Sequence, residues 1–295
     1  MLSLEYFAEL YHLDAVALHA QVAAFQLRNH LFDSNNGPSY MGVINLSHDS
    51  WYRESVCLNA EAAIRRGHRL HAEGADLIDI GAESTLSQAN LVAPQTQEAL
   101  LLPVIRELSQ SGILTSVETY HPSVTQACLQ AGAAVLNLTG TQGTGDFYKL
   151  VADHDAGVII CYVQGENVRS VNKIDLTEDF TCTLKDYFAK QIDLALDAGV
   201  SRIWIDPGMG FYYKNLQDSA ERIRYQMKTF LQSFRLRTLG WPVCHALPHA
   251  FEFFEDEVRS AESFFAVMAL LGKTDLLRTH ELTKVRAVCR TLATF

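Results

Sequence analysis

No stretch of this 295-residue chain approaches the roughly 20 consecutive apolar residues that a membrane-spanning helix needs. The N-terminal MLSLEYFAEL carries acid where a signal peptide carries basic charge. A soluble cytoplasmic protein is the expectation. Positive charge is in deficit, with 24 Lys and Arg against 34 Asp and Glu and a formal charge of -10 at pH 7. That balance argues against a nucleic-acid partner, because proteins that bind a phosphate backbone concentrate cations. The six cysteines are scattered, with no CxxC pair, so neither a small disulfide framework nor a zinc ribbon is encoded. They read as reduced packing residues, Cys161 and Cys244 falling in apolar strand-like runs. No Pro-, Gly- or Ser-rich linker divides the chain.

What is present is an alternation. Short apolar runs recur at 40–46, 75–80, 113–118, 134–138, 157–163, 202–206, 241–245 and 274–279, most of them continuous in Val, Ile and Leu. Continuous runs suit strands buried on both faces of a parallel sheet. Segments of helical composition follow at 59–73, 96–108, 123–131, 147–154, 184–198, 215–234, 257–271 and 281–294. Gly74, Gly112, Gly132, Gly199 and Gly272 each follow a helix, where a residue tolerant of positive φ ends the last turn. Eight βα units with 48% hydrophobic residues predict an α/β protein, a (β/α)8 TIM barrel over 39–295. A doubly wound open sheet would leave strands over or require a second domain. Residues 1–38 read as a helical extension packed on the barrel, with apolar positions Leu4, Phe7, Leu10, Tyr11, Val16, Leu18, Val22 and Phe25.

Barrel enzymes hold their chemistry at the C-terminal ends of the strands. Polar residues stand there in this sequence: Asn45, the GAEST segment with Thr85, Glu118, Asn137, Asp206, Arg278 and His280. One polar strand end is an ordinary loop residue, and His280 alone reads equally well as a residue packing beside a helix N-terminus. The set converging on one face points to a site. A carboxylate accepts two hydrogen bonds from an adjacent ring N–H and exocyclic amine, and Asn both donates and accepts, so Glu118, Asn137 and Asp206 suit a planar heterocycle. Arg278 and His280 are the cationic pair for an anion or a departing group.

The segments MGVINLSHDSW (41–51), EGADLIDIGAEST (73–85), VETYHPSV (117–124), GAAVLNLTG (132–140), DPGMGF (206–211) and LRTHE (277–281) occur in the order and approximate spacing of one known family. From Tyr40 onward the chain resembles dihydropteroate synthase. The resemblance implies a homodimeric barrel that binds a hydroxymethyl-dihydropterin pyrophosphate with Mg2+ and joins it to p-aminobenzoate with loss of pyrophosphate. By the same resemblance Asn45 serves the metal, and Glu118, Asn137, Asp206, Thr85, Lys214 and Arg278 bind substrate. Asp206, Arg278 and His280 carry the catalytic roles. Glu118 stands where the family has aspartate. Departures cluster in the loops: S-T-R-P becomes Ser84, Thr85, Leu86, Ser87, and the seventh strand ends in HALPHAFEFF (245–254) without the family's lysine. His245 or His249 could supply a donor there, or both could be ordinary loop residues. His48, Leu138 and Tyr162 replace the family's proline, acidic residue and histidine. Three readings follow: a synthase-like transferase, a catalytically inactive pterin- or folate-binding paralogue or partner subunit, and a methyltetrahydrofolate-dependent methyltransferase.

Overall fold

A computed structural model of the chain describes residues 2–50, 52–86, 89–174, 179–211 and 213–295. Helix α1 (Leu4–Leu13) opens it, capped by the Ser3 hydroxyl, which accepts the Tyr6 N–H. A short 3-10 turn follows at Ala17–His19, and then, where the sequence reading expected helix, an antiparallel hairpin, β1 (Phe25–Leu27) and β2 (His30–Phe32). Along β1 the side chains alternate buried, exposed, buried, a period of two that a helical stripe drawn through Phe25 cannot meet. Leu4, Tyr11 and Val16, assigned above to an apolar face, are exposed. The hairpin packs at the N-terminal ends of the barrel strands. Phe25 and Phe32 meet the Trp204 ring edge-on at 4.7 and 5.0 Å, Arg28 reaches the Ala133 carbonyl at 3.2 Å, and Arg202 donates to the Gln26 carbonyl.

Eight parallel strands form the barrel: β3 (Ser39–Asn45), β4 (Leu77–Gly81), β5 (Thr115–Thr119), β6 (Val135–Leu138), β7 (Gly157–Cys161), β8 (Ile203–Asp206), β9 (Cys244–Ala246) and β10 (Leu276–Thr279). Their order around the ring is β8-β7-β6-β5-β4-β3-β10-β9. The seam between β8 and β9 closes through a single parallel bridge, Ile205 to Val243, with the Ile205 N–H donating to the Pro242 carbonyl at 3.0 Å. Each strand overlaps its expected run, because helices cover the outside and neighbouring side chains fill the inside. The surrounding helices are α2 (Ala60–Ala72), α3 (Pro94–Gln110), α4 (Pro122–Ala131), α5 (Thr144–Asp153), α6 (Phe180–Asp197), α7 (Ser219–Gln232), α9 (Ala261–Leu271) and α10 (Leu282–Leu292). Short α8 (Phe251–Phe254) sits in the loop after β9. Pro94 and Pro122 open α3 and α4 at the first turn, where a missing N–H costs nothing. No described helix is long and apolar enough to cross a membrane.

Four of the five glycines expected to end helices adopt positive φ, but Gly272 does not. Lys273 takes the left-handed conformation instead, at φ 60. Gly272 is required for space: a Cβ there would fall 1.7 Å from the Phe230 carbonyl oxygen. The two kinds of glycine separate experimentally. Gly112→Ala, at φ 76 with open space around it, should cost about 1–2 kcal/mol of left-handed strain. Gly272→Ala should cost more than the roughly 1–3 kcal/mol of ordinary overpacking, because the obstacle is backbone rather than a flexible side chain. Urea unfolding of both variants measures the difference, and equal losses would contradict the steric reading.

Candidate functional site

The C-terminal strand ends converge on one concave pocket. At its floor Arg278 of β10 is held between two carboxylates: its Nε donates to Asp79 Oδ2 at 2.7 Å and its Nη2 to Glu118 Oε2 at 2.6 Å. Asn137 of β6 donates to the same Asp79 oxygen at 3.3 Å, and the Cys161 thiol to Asn137 Oδ1 at 3.3 Å. Asp206 ends β8 and accepts the Gly208 N–H at 2.7 Å. Gly208 sits at φ 75, where a Cβ would lie 2.2 Å from the Tyr162 carbonyl oxygen, so the Asp-Pro-Gly sequence fixes the carboxylate through a turn that only glycine can make. Three largely buried carboxylates thus face one guanidinium. Burial pushes the Glu118 carboxyl up to about 7, the Arg278 charge opposing it, and pushes Asp206 up to about 6. A cluster short of donors is satisfied by a ligand that brings N–H groups. Asp79 Oδ1 is buried with no hydrogen-bond partner. Asp79 escaped the sequence reading, although a lone acid inside the apolar run LIDIG was the available signal.

The loops above the floor are tied to one another. Asn45 Nδ2 donates to Ser50 Oγ at 2.8 Å and Ser55 Oγ at 2.6 Å, so the amide oxygen is left for the pocket. Asp49 of the first loop accepts the Asn90 backbone and side-chain N–H groups at 3.1 and 3.2 Å. Where the expected loop arginine is Leu86, another arginine arrives from the loop after β7: Arg169 donates to the carbonyls of Ser84 at 2.7 Å and Ala89 at 2.5 Å. Its guanidinium is spent on backbone, and Leu86 with Thr85 lines the pocket. Ser87 and Trp51 lie outside the described residues. Glu83 is likewise structural in its bonds, accepting the Tyr120 hydroxyl at 2.5 Å and the Val92 N–H at 2.8 Å. Lys214 is exposed and does not line the pocket. The strand-end pattern could not reveal this, since the side-chain direction of a loop residue is not periodic. The cation that does line the wall on that side is Arg222 of α7, paired with Glu252 of α8 at 2.8 Å.

The altered 245–254 segment divides its histidines. His245 is fully buried among the helices, its Nε2 2.6 Å from Ser233 Oγ and its ring 4.4 Å from Phe230. Burial alone drives it down to about 3, and it is a core residue. His249 lines the pocket, stacked on Tyr52 at 4.5 Å and 20°. His280 lies 4.8 Å from both rings and hydrogen-bonds through Nδ1 to Glu262 Oε1 at 2.8 Å. Glu262, at 0% exposure, accepts the backbone N–H groups of His280 and Glu281 as well. His280 therefore lines the pocket and also packs beside the α10 N-terminus. Tyr52 and Glu262 also escaped the sequence reading. Glu262 opens an apolar helix and is indistinguishable there from any first-turn acid.

The floor carboxyls give the ligand-free protein a defined pH response. Both native values lie above the unfolded values of about 4. Between about pH 4 and 7 the native state therefore holds protons that the unfolded chain has released, and stability falls as pH rises through that window. Asp206→Asn should flatten part of this slope. Denaturant melts at pH 5 and pH 7.5 test it, and a slope unchanged in the variant would show that Asp206 titrates normally.

The geometry has counterparts. The family described as pterin binding enzyme matches residues 41–278. A dihydropteroate synthase of Streptococcus pyogenes serotype M3 is 32% identical over 207 residues, covering 69% of this chain and 72% of that protein. One from Synechocystis is 26% identical over 272 residues, covering 88% and 91%. Among solved structures, the Xanthomonas albilineans dihydropteroate synthase in complex with indole-2-carboxylic acid and 6-chloroguanine superposes with a TM-score of 0.72 at 26% identity, over 93% of this chain and 97% of that one. With the barrel, the strand-end constellation and these matches in agreement, the chain belongs to the dihydropteroate synthase family of pterin-binding enzymes.

Proposed function

We propose that the pocket binds a reduced pterin carrying a pyrophosphate and transfers its methylene group to an amine, in the manner of a dihydropteroate synthase. The observation that carries this is the donor-poor floor, where Asp79, Glu118 and Asp206 surround one arginine. A pterin edge offers adjacent ring and exocyclic N–H groups, and Asn137 can both donate and accept beside them. Breaking the bond from methylene carbon to pyrophosphate oxygen builds positive charge on that carbon. The buried carboxylates stabilise this charge more strongly than they stabilise the neutral ground state. Arg278 would receive the leaving anion, with His280, which burial holds neutral, beside it as a hydrogen-bonding imidazole rather than the second cation expected from the sequence, and Thr85 would contact the substrate from the wall.

Mg2+ belongs to the same proposal and fits the donor set: the Asn45 amide oxygen is a hard ligand of the kind Mg2+ shares with substrate phosphates and water. Bound there, it would neutralise pyrophosphate charge. A homodimer and a cytoplasmic location complete the reading carried by the resemblance. The acceptor side is where this chain differs. The wall bears Leu86, and the Arg222–Glu252 pair stands where α8 closes the pocket, so the acceptor differs in shape or charge from p-aminobenzoate. The same residues favour a second reading, a pterin-binding paralogue without turnover.

Mixing the protein with hydroxymethyl-dihydropterin pyrophosphate, Mg2+ and a panel of aromatic amines distinguishes the two. Pyrophosphate release above background marks the transferase, binding without release marks the paralogue, and failure to bind the pterin overturns both. Asp206→Asn replaces an acceptor by a donor at the floor. It should weaken pterin affinity by about 10- to 100-fold in calorimetric titration, the equivalent of one lost charge-assisted hydrogen bond. Undiminished affinity in that variant would place the pterin elsewhere.

A further inference from the structure

The ring nitrogens of His249 and His280 and a carboxylate oxygen of Glu262 lie within 4.8 Å of one another at the pocket wall. Glu262 Oε1 is 2.8 Å from His280 Nδ1 and 3.4 Å from His249 Nδ1. The second of these nitrogens is buried and has no hydrogen-bond partner. Ligands about 2.0 to 2.2 Å from a tetrahedral Zn2+ stand about 3.4 Å apart, so the Glu262–His249 separation already matches, and the other atoms adjust toward it from 2.8 Å and from within 4.8 Å.

We propose that His249, His280 and Glu262 form a binding site for a divalent transition ion of the Zn2+ class, with its fourth position open to the pocket.

Four features support the assignment. The carboxylate is already oriented: Glu262 Oε2 accepts the Thr279 hydroxyl and the backbone N–H groups of His280 at 2.9 Å and Glu281 at 3.1 Å, leaving Oε1 toward the imidazoles, as outer hydrogen bonds orient metal-binding carboxylates. Tyr52 packs on both imidazoles at 4.5 and 4.8 Å, and its hydroxyl is anchored on Glu281 at 2.5 Å, which fixes the ring planes. Burial holds both imidazoles below their ordinary range, hence neutral near pH 7, the form that ligates. The donor set of two imidazoles and one carboxylate suits Zn2+ or Co2+ and not Mg2+, which prefers oxygen, so this position is chemically distinct from Asn45. Three protein ligands leave a coordination position for water or for an anionic oxygen of the substrate. The ion would displace the hydrogen between His280 Nδ1 and Glu262 Oε1, which the neutral imidazole can carry on Nε2 instead.

The test uses the full chain, stripped with a chelator and dialysed against Zn2+ or Co2+ without pterin, so its outcome is independent of the transferase reading. The expected result is one ion per chain, a visible absorption of low-symmetry Co2+, and no displacement by excess Mg2+. His249→Ala should lower Zn2+ affinity by at least about 100-fold, in the range of a lost ligand. His249 lies on the pocket loop outside the barrel strands, so the variant is expected to fold; Glu262→Gln, which also alters the turn into α10, is the second variant and should do the same. No stoichiometric binding by the folded protein overturns the proposal. So does binding that His249→Ala and Glu262→Gln leave unchanged, since the ion would then sit elsewhere.

Discussion

The clamp of Arg278 between Asp79 and Glu118 is the constraint on which the mouth of the barrel is built. It spans three strands, β10, β4 and β5, and sets the orientation of Asn137 through their common partner Asp79. Taking one guanidinium and three carboxylates out of water is costly, and the interaction among them offsets that cost only while the geometry holds. The cluster is therefore better understood as the result of a demand for ligand than as a source of stability. Glu118, one methylene longer than the aspartate that the resemblance led one to expect, reaches far enough to complete the clamp.

The barrel was legible in the sequence because its strands are buried on both sides, and burial writes itself as unbroken Val, Ile and Leu. The hairpin was not, because a three-residue strand such as Phe25–Leu27 carries too few positions to separate a period of two from a helical stripe. Gly272 shows a subtler limit. Its place after a helix was read correctly, but its reason is the Phe230 backbone lying against it, and no local pattern records a neighbour forty residues away in sequence.

The site divides along the same line. Asn45, Thr85, Glu118, Asn137, Asp206, Arg278 and His280 all line the pocket, since each sits at a strand end or in the loop directly after one. Lys214 does not, and Arg222, Glu252, Tyr52 and Glu262 enter from helices and loops whose side chains meet only in three dimensions. Leu86 stands where the resemblance implies an arginine, and the guanidinium that reaches this loop is that of Arg169, from the loop after β7, on the carbonyls of Ser84 and Ala89.

The seam of the barrel has a consequence for how such a protein changes over generations. Strand β9 is bound to β10 by three register pairs and to β8 by one isolated bridge. The segment 245–254, which lacks the lysine that the resemblance implies, begins on this weakly laddered strand. Its Leu247 N–H donates to the Arg278 carbonyl at 3.0 Å, while β4, β5 and β6, which carry Asp79, Glu118 and Asn137, are paired along their length on both sides. Change at the seam thus spares the strands of Asp79, Glu118 and Asn137 and bears on the floor through Arg278 and Asp206, whose strands flank it.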